Sequence, residues 1–340
     1  APLAGRFTRN QAVRRSSTQP IDSGDPTVAA GGGIEQTGGT LMISNVRIAR
    51  NEAEGDGGGL AINGDATTVV DRQTEYLVNQ AEGNGGGIST YSTGTLTIDD
   101  IRVRENHADL SGGGIFEESA ALVSISDTTI LTNTADGDGG GLSVGGGGTV
   151  TFDNGGIGDN VAQQDGGAIA IRDNDQVSIT SASISDNTAV NGVGGAIVND
   201  NTTGTGSFAI TNSSLDNNTA TEGGAIYTTA NSLSTIFSAG IDDNEATDGD
   251  GGALYIGNNA TVTIEQVGLR RNEADDQGGA IYYDADRPLV IDNVTFESNL
   301  ADSDGGAIAK HSDNATHSIA DTDFLNNITQ EEGGALFAGE

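Results

Sequence analysis

The sequence predicts an all-β protein: a right-handed parallel β-helix (solenoid) of about twelve coils of 27–28 residues, with three short strands per coil. Three observations predict it. A glycine-rich tetrapeptide recurs along the chain, an asparagine recurs in step with it, and short alternating β-rich segments fill the space between.

The tetrapeptide is Gly-Gly-[Gly/Ala]-[Ile/Leu], and it ends at Ile34, Leu60, Ile88, Ile115, Leu142, Ile169, Ile197, Ile226, Leu254, Ile281, Ile308 and Leu336. Successive spacings run from 26 to 29 residues, so each repeat is one supersecondary unit. The second landmark, Asn-x-Ala, precedes the tetrapeptide at Asn51, Asn79, Asn106, Asn133, Asn160, Asn187, Asn218, Asn244, Asn272 and Asn299. Asn327 continues the series with Thr329 in place of alanine, and Asn10 with Ala12 is an earlier member. One coil reads Gly-Gly-Ala-Leu-Tyr-Ile, then Ala-Thr-Val-Thr-Ile at 260–264, then Val-Gly-Leu-Arg-Arg-Asn at 267–272. Alternation of Val and Ile with Thr marks half-buried strands.

A unit of this size cannot bury its apolar face alone, so neighbours must stack. Twelve coils at the parallel strand spacing give a rod of about 55–60 Å. The right hand follows from the bias of parallel crossovers. In such a stack the asparagines form a ladder of amides and suit the left-handed backbone of a corner. The glycines supply positive φ. Residues 1–340 read as one domain, with 13–30 as a loop inserted in the first coil that carries Arg14 and Arg15.

Composition narrows function. There are 49 acidic residues against 14 basic ones, net −35, which disfavours nucleic-acid binding. No apolar run is long enough for a membrane span. With no cysteine there is neither disulfide nor thiolate site. The expected setting is extracellular, on the surface of a bacterium or archaeon, and the acid excess suits a salt-adapted one.

The paired tetrapeptides, Gly-Gly-Ala-Ile and Phe-x-x-Asn, carry a family resemblance. Phe7-Thr8-Arg9-Asn10, Phe296-Glu297-Ser298-Asn299 and Phe324-Leu325-Asn326-Asn327 match the second, and other coils replace Phe, as in Ile130-Leu131-Thr132-Asn133. The chain resembles the repeats of chlamydial polymorphic outer-membrane proteins and, more widely, bacterial β-helix surface proteins and autotransporter passengers. The resemblance implies an adhesin or surface antigen.

Two candidate sites follow from stacking. The corner between Asn-x-Ala and Gly-Gly is acidic, at Asp56, Asp136, Asp138, Asp165, Asp248, Asp250, Asp276, Asp302 and Asp304 among others. A column of carboxylates invites a counter-ion, and Ca²⁺ is the hard cation such oxygens suit. Solvated turns of an acidic surface are the plainer account. Tyr227, Tyr255 and Tyr282 each follow the inward residue of adjacent coils and so point outward, with Gly or Ala as outward neighbour. That gives either a flat apolar contact strip or a stack that only strengthens the sheet.

The functional expectation is a non-enzymatic structural or adhesive protein. Its partners would be other copies, associating head to tail into a filament through a basic N-terminal and an acidic C-terminal coil, or a host or neighbouring cell surface. The alternatives are a carbohydrate-binding or polysaccharide-degrading β-helix, or a passive stalk. Enzymes of this shape need poised carboxylates in a groove, and the coil lengths here leave little room for one.

Overall fold

The fold is that of a computed structural model, which describes residues 6–8, 11–12 and 31–339, apart from 120–121, 174, 202–205, 231 and 312–315. The inserted segment 13–30 and Asn10 lie outside the described residues.

Every strand pairs in parallel with its equivalent one coil away, and no helix occurs among the described residues. Three sheets run the length of the stack. Sheet I holds twelve strands that start at the tetrapeptide's last residue, such as Leu254–Asn258 and Ile281–Ala285. Sheet III holds twelve two-residue strands that follow the repeating asparagine, such as Glu273–Ala274 and Leu300–Ala301. Sheet II holds twenty-one strands. It contains both remaining segments of each coil, such as Thr261–Glu265 and Gly268–Arg270.

The partition among sheets therefore differs from the sequence reading. The second and third β-rich segments share one sheet, and two residues after the asparagine form the third. The reason is visible at Thr149–Gly158 and Gln176–Ser185, where both segments run as one ten-residue strand. Elsewhere a two-residue break that opens on a residue of positive φ separates them, Gln266 (φ 56°) or Asn293 (φ 54°), and Asn154 (φ 53°) and Ser181 (φ 54°) make the same bend inside the two long strands.

Register places like on like. Ile281 pairs with Leu254 on one side and Ile308 on the other, and Ala274 pairs with Ala246 and Ala301. Leu254, Ile256, Ile264, Leu269 and Ile281 are wholly buried in one continuous core. Each such side chain contributes about 1.5–3 kcal/mol of apolar burial. The interior is narrow, and the Phe-x-x-Asn phenylalanines fill it by stacking: the Phe296 and Phe324 rings lie 4.9 Å apart and nearly parallel.

Three left-handed residues per coil turn the chain. In one coil they are Gly278 (φ 67°), Asn293 (φ 54°) and Ser298 (φ 58°). The first glycine of each pair is one of these corners. At the second, exemplified by Gly279, a Cβ would run into the carbonyls of Leu300 and Gly306 in the next coil. The third corner corrects the expectation for asparagine. The positive φ belongs to the residue before it, as at Arg50, Val78, Glu105, Thr132, Ser298 and Asn326. That turn aims the asparagine side chain inward, where it is buried, instead of leaving it exposed on the bend.

Candidate interaction surface, amide ladder and acidic edge

The asparagine column is a continuous hydrogen-bonded ladder. Each Nδ2 donates to the Oδ1 of the asparagine one coil on, through Asn51, Asn79, Asn106, Asn133, Asn160, Asn187, Asn218, Asn244, Asn272, Asn299 and Asn327, at 2.8–3.0 Å. The same Oδ1 also accepts the backbone N–H of the preceding asparagine, as from Asn133 to Asn160 at 2.9 Å. The second Nδ2 proton goes back to the carbonyl three residues before the previous ladder asparagine. Asn160 thus bonds Ile130 O at 2.9 Å, and Asn327 bonds Phe296 O at 2.9 Å. All four hydrogen-bonding valences of the amide are filled. The spacing of Phe-x-x-Asn follows: the apolar residue packs inward, and its carbonyl receives the next coil's asparagine.

The acidic corner is two columns, not one. The inner column is the residue just before the glycine pair. Its side-chain oxygens accept the backbone N–H of the same position in the next coil. Asp138 takes it from Asp165 at 3.1 Å, Asp165 from Val193 at 3.0 Å, Asp250 from Gln277 at 3.0 Å and Asp304 from Glu332 at 2.9 Å. Asp56 does the same for Asn84, and Asn84 in turn for Ser111. These groups are half-buried latches of the backbone. Burial pushes the Asp250 carboxyl up to about 7, with Asp276, Glu222 and Asp284 adding to the rise and the Gln277 N–H opposing it.

Asp138 and Asp165 also have a cation from the chain itself. Arg172 reaches Asp138 at 3.0 Å, Asp165 at 2.9 Å and Asp200 at 3.4 Å, and these carboxylates hold its guanidinium charged despite partial burial. Sequence reasoning missed Arg172. Its signal was a lone arginine three residues after Ile169, in a stretch otherwise poor in positive charge. Asp136, Asp248 and Asp302 belong instead to an exposed outer column, and Asp276 lies between the two. Burial and the neighbouring Asp302 and Asp248 raise the Asp275 carboxyl in this outer column.

The aromatic column is longer than the three tyrosines. Tyr227 stacks on Tyr255 at 4.6 Å between ring centroids, and Tyr255 meets Tyr282 at 5.1 Å. His311 continues it at 5.7 Å from Tyr282, and Phe337 ends it at 5.6 Å from His311. His311 can enter because the rung below Tyr282 is Ala309, which leaves room for a ring two residues further on. The expected small neighbour needs correction. The tetrapeptide alanines Ala225, Ala253 and Ala280 face the core and are fully buried. The outward neighbours are Thr229, Gly257, Asp284 and His311 instead. Gly257 is small of necessity, since a Cβ there would strike the Tyr255 ring.

The strip has an acidic frame. Burial raises the phenol of Tyr227 to about 12, with Glu222, Asp200 and Asp165 adding to the shift. Tyr255 and Tyr282 are pushed up by burial and then by neighbouring rings and carboxylates, including Glu222, Asp250 and Asp284. All three phenols stay neutral donors at physiological pH.

No helix among the described residues is long and apolar enough to cross a membrane. The model of the Chlamydia polymorphic membrane protein (Chlamydia_PMP) repeat matches residues 212–229 and 293–309. Each match runs from a sheet II bend through a ladder asparagine, Asn218 or Asn299, into the first strand of sheet I. No curated protein and no solved structure matches the chain. The chain is a parallel β-solenoid, and two of its coils are similar in sequence to the chlamydial polymorphic membrane protein repeat.

Proposed function

We propose that the protein is a non-enzymatic surface-exposed passenger on the outside of a bacterium, and that it adheres through the outer face of sheet I. The carrying observation is the five-ring column Tyr227–Tyr255–Tyr282–His311–Phe337 on successive coils. Aromatic faces and edges on a rigid sheet offer contact area at little entropic cost, and the neutral phenols add hydrogen-bond donors. The carboxylates around the strip turn away anionic polymers and favour neutral or basic partners on a host or neighbouring cell. A carbohydrate-binding role is the second reading, favoured by the same flat stacked rings. The repeat match supports the surface setting.

Replacing Tyr227, Tyr255 and Tyr282 together with serine tests it, because Ser143 already occupies the equivalent rung in an earlier coil. Adhesion of protein-coated beads to cells is expected to fall at least about tenfold, the scale of losing one or more aromatic hot spots. Unchanged adhesion by a folded variant would exclude this face.

Head-to-tail association belongs to the same reading. Coils that stack with like residues in register can take a further copy on the same terms, in a contact that does not close. Calcium along the exposed outer carboxylates Asp248, Asp275 and Asp302, with Asp276 beside them, would relieve their mutual repulsion. Electron microscopy with calcium and with EDTA separates the cases. Fibres lost in EDTA support both, fibres kept in EDTA support association alone, and short rods throughout exclude self-assembly.

A further inference from the structure

We propose that His107, Asp109 and Asp136 bind a first-row divalent transition-metal ion of the zinc type on the outside of two adjacent coils. One ligand atom from each of the three lies within 4.8 Å of the other two. His107 Nε2 stands 3.0 Å from Asp109 Oδ1, and these side chains are 35% and 42% exposed. Asp136 joins them from the next coil and is exposed.

The backbone holding the three is fixed by the solenoid. His107 pairs with Thr134, and Ala108 with Ala135, in sheet III. The Asp109 N–H donates to Ala81 O, and the Asp136 N–H to Ala108 O, each at 3.0 Å. The imidazole is oriented from behind: His107 Nδ1 lies 2.8 Å from the Thr134 hydroxyl. With Nδ1 engaged there, Nε2 is the nitrogen turned towards the carboxylates. An outer hydrogen bond that fixes the ring of a ligating histidine is a recurring part of metal sites.

The donor set selects the metal. In the two flanking coils the His107 position holds Gln80 and Thr134, so there the corner offers only oxygen. Here one imidazole joins two carboxylates, a set that suits zinc and its neighbours better than calcium or magnesium. Ligand distances of about 2.0–2.2 Å require the three atoms to draw together, which rotation of the exposed Asp136 side chain allows. The open outer side leaves the remaining positions to water.

The test is calorimetric titration of the full chain with ZnCl₂ and with CaCl₂, with Co²⁺ absorption as a second readout of a nitrogen ligand. His107→Gln and Asp136→Asn are each expected to weaken Zn²⁺ binding at least about tenfold, while Ca²⁺ binding is unmoved. Asp302→Asn, in the same column far along the stack, is expected to change nothing at this site. Thr134→Val should weaken Zn²⁺ severalfold and Thr134→Ser should restore it, because only the hydroxyl is at issue. These residues are at the surface, and far-UV circular dichroism verifies that each variant is folded. Equal Zn²⁺ affinity in wild type and His107→Gln, or a Co²⁺ spectrum unaltered by that change, would overturn the proposal and leave only diffuse binding to the acidic surface.

Discussion

Two columns of polar side chains flank the same corner, and they obey different rules. The asparagine column is invariant over eleven coils from Asn51 to Asn327, while the column before the glycines reads Asp56, Asn84, Ser111, Asp138, Asp165, Val193, Glu222, Asp250, Gln277, Asp304 and Glu332. Both receive a backbone N–H from a neighbouring coil. The difference is burial and valence. The amide sits inside and must satisfy two donors and two acceptor sites with no water to help, and only Asn does so at this length. The latch before the glycines makes at most one such bond and has solvent beside it, so several residue types serve, and even Val193, which offers no acceptor, is tolerated.

The largest test of that contrast removes an amide from the middle of the ladder. Asn160→Ala leaves unpartnered the Asn133 backbone N–H, one Asn133 Nδ2 proton, the Asn187 Oδ1 share and the Ile130 carbonyl. At about 1–3 kcal/mol per buried unsatisfied group, with partial relaxation, the expected loss is about 3–5 kcal/mol in urea denaturation. Asn327→Ala, at the half-exposed end, should cost about 1–2 kcal/mol. In the latch column Asp304→Asn should be nearly neutral, within about 0.5 kcal/mol. Asn84 already fills that position and accepts the Ser111 N–H at 3.0 Å. Equal losses at Asn160 and Asp304 would show that burial does not separate the two columns.

Most of the scaffold was legible because each repeating element answers a backbone demand. Glycine pairs mark a left-handed corner followed by a contact with no room for Cβ, and alternation marks inward rungs such as Leu254 and Ile256. The partition into sheets was not legible, since the second and third segments stay in one sheet across a positive-φ bend, such as Ser181 or Gln266, that reads in the sequence as a turn. Nor was the third corner, where Arg271, Val78 and Thr132 take positive φ without glycine. Of the candidate sites, the tyrosine column could be read from its period. His311, Arg172 and the His107 cluster could not, because each depends on one residue meeting neighbours about 27–34 positions away.

A second test carries the contrast inside the solenoid. Glu117 is an acid in an inward column whose preceding rungs are Gln36, Ile62 and Thr90 and whose next rung is Val144. Burial pushes its carboxyl up to about 8 and that of nearby Asp175 up to about 7, with their mutual repulsion adding to Glu117 and hydrogen bonds from Ser119, Gly147 and Gly148 opposing. Both pKa values are raised on folding, so the folded chain holds protons that the unfolded chain releases. The stabilisation is complete below about pH 4, declines as pH rises towards 8 and is gone above it. Glu117→Gln should flatten that decline by about 2–4 kcal/mol between pH 5 and 8.5. Gln36, whose amide donates to Gly39 O at 3.1 Å, shows that the column accepts the replacement. Parallel slopes of urea midpoint against pH in the two proteins would place the ionisation elsewhere.

The smallest effect concerns the corner that aims the ladder. Val78 adopts φ 54° with a β-branched side chain that is 40% exposed, one residue before Asn79. The equivalent residue is Asn217 in one coil and Asn326 in another, a type that enters this region at lower cost. Val78→Asn should therefore stabilise the chain by about 0.5–1 kcal/mol, read as a higher urea midpoint at unchanged slope. The gain arises in the backbone alone, because the side chain points to solvent and leaves the Asn51–Asn79 bond at 2.9 Å untouched. A loss instead would mean that the Val78 side chain packs against its neighbours strongly enough to outweigh the strain of its turn.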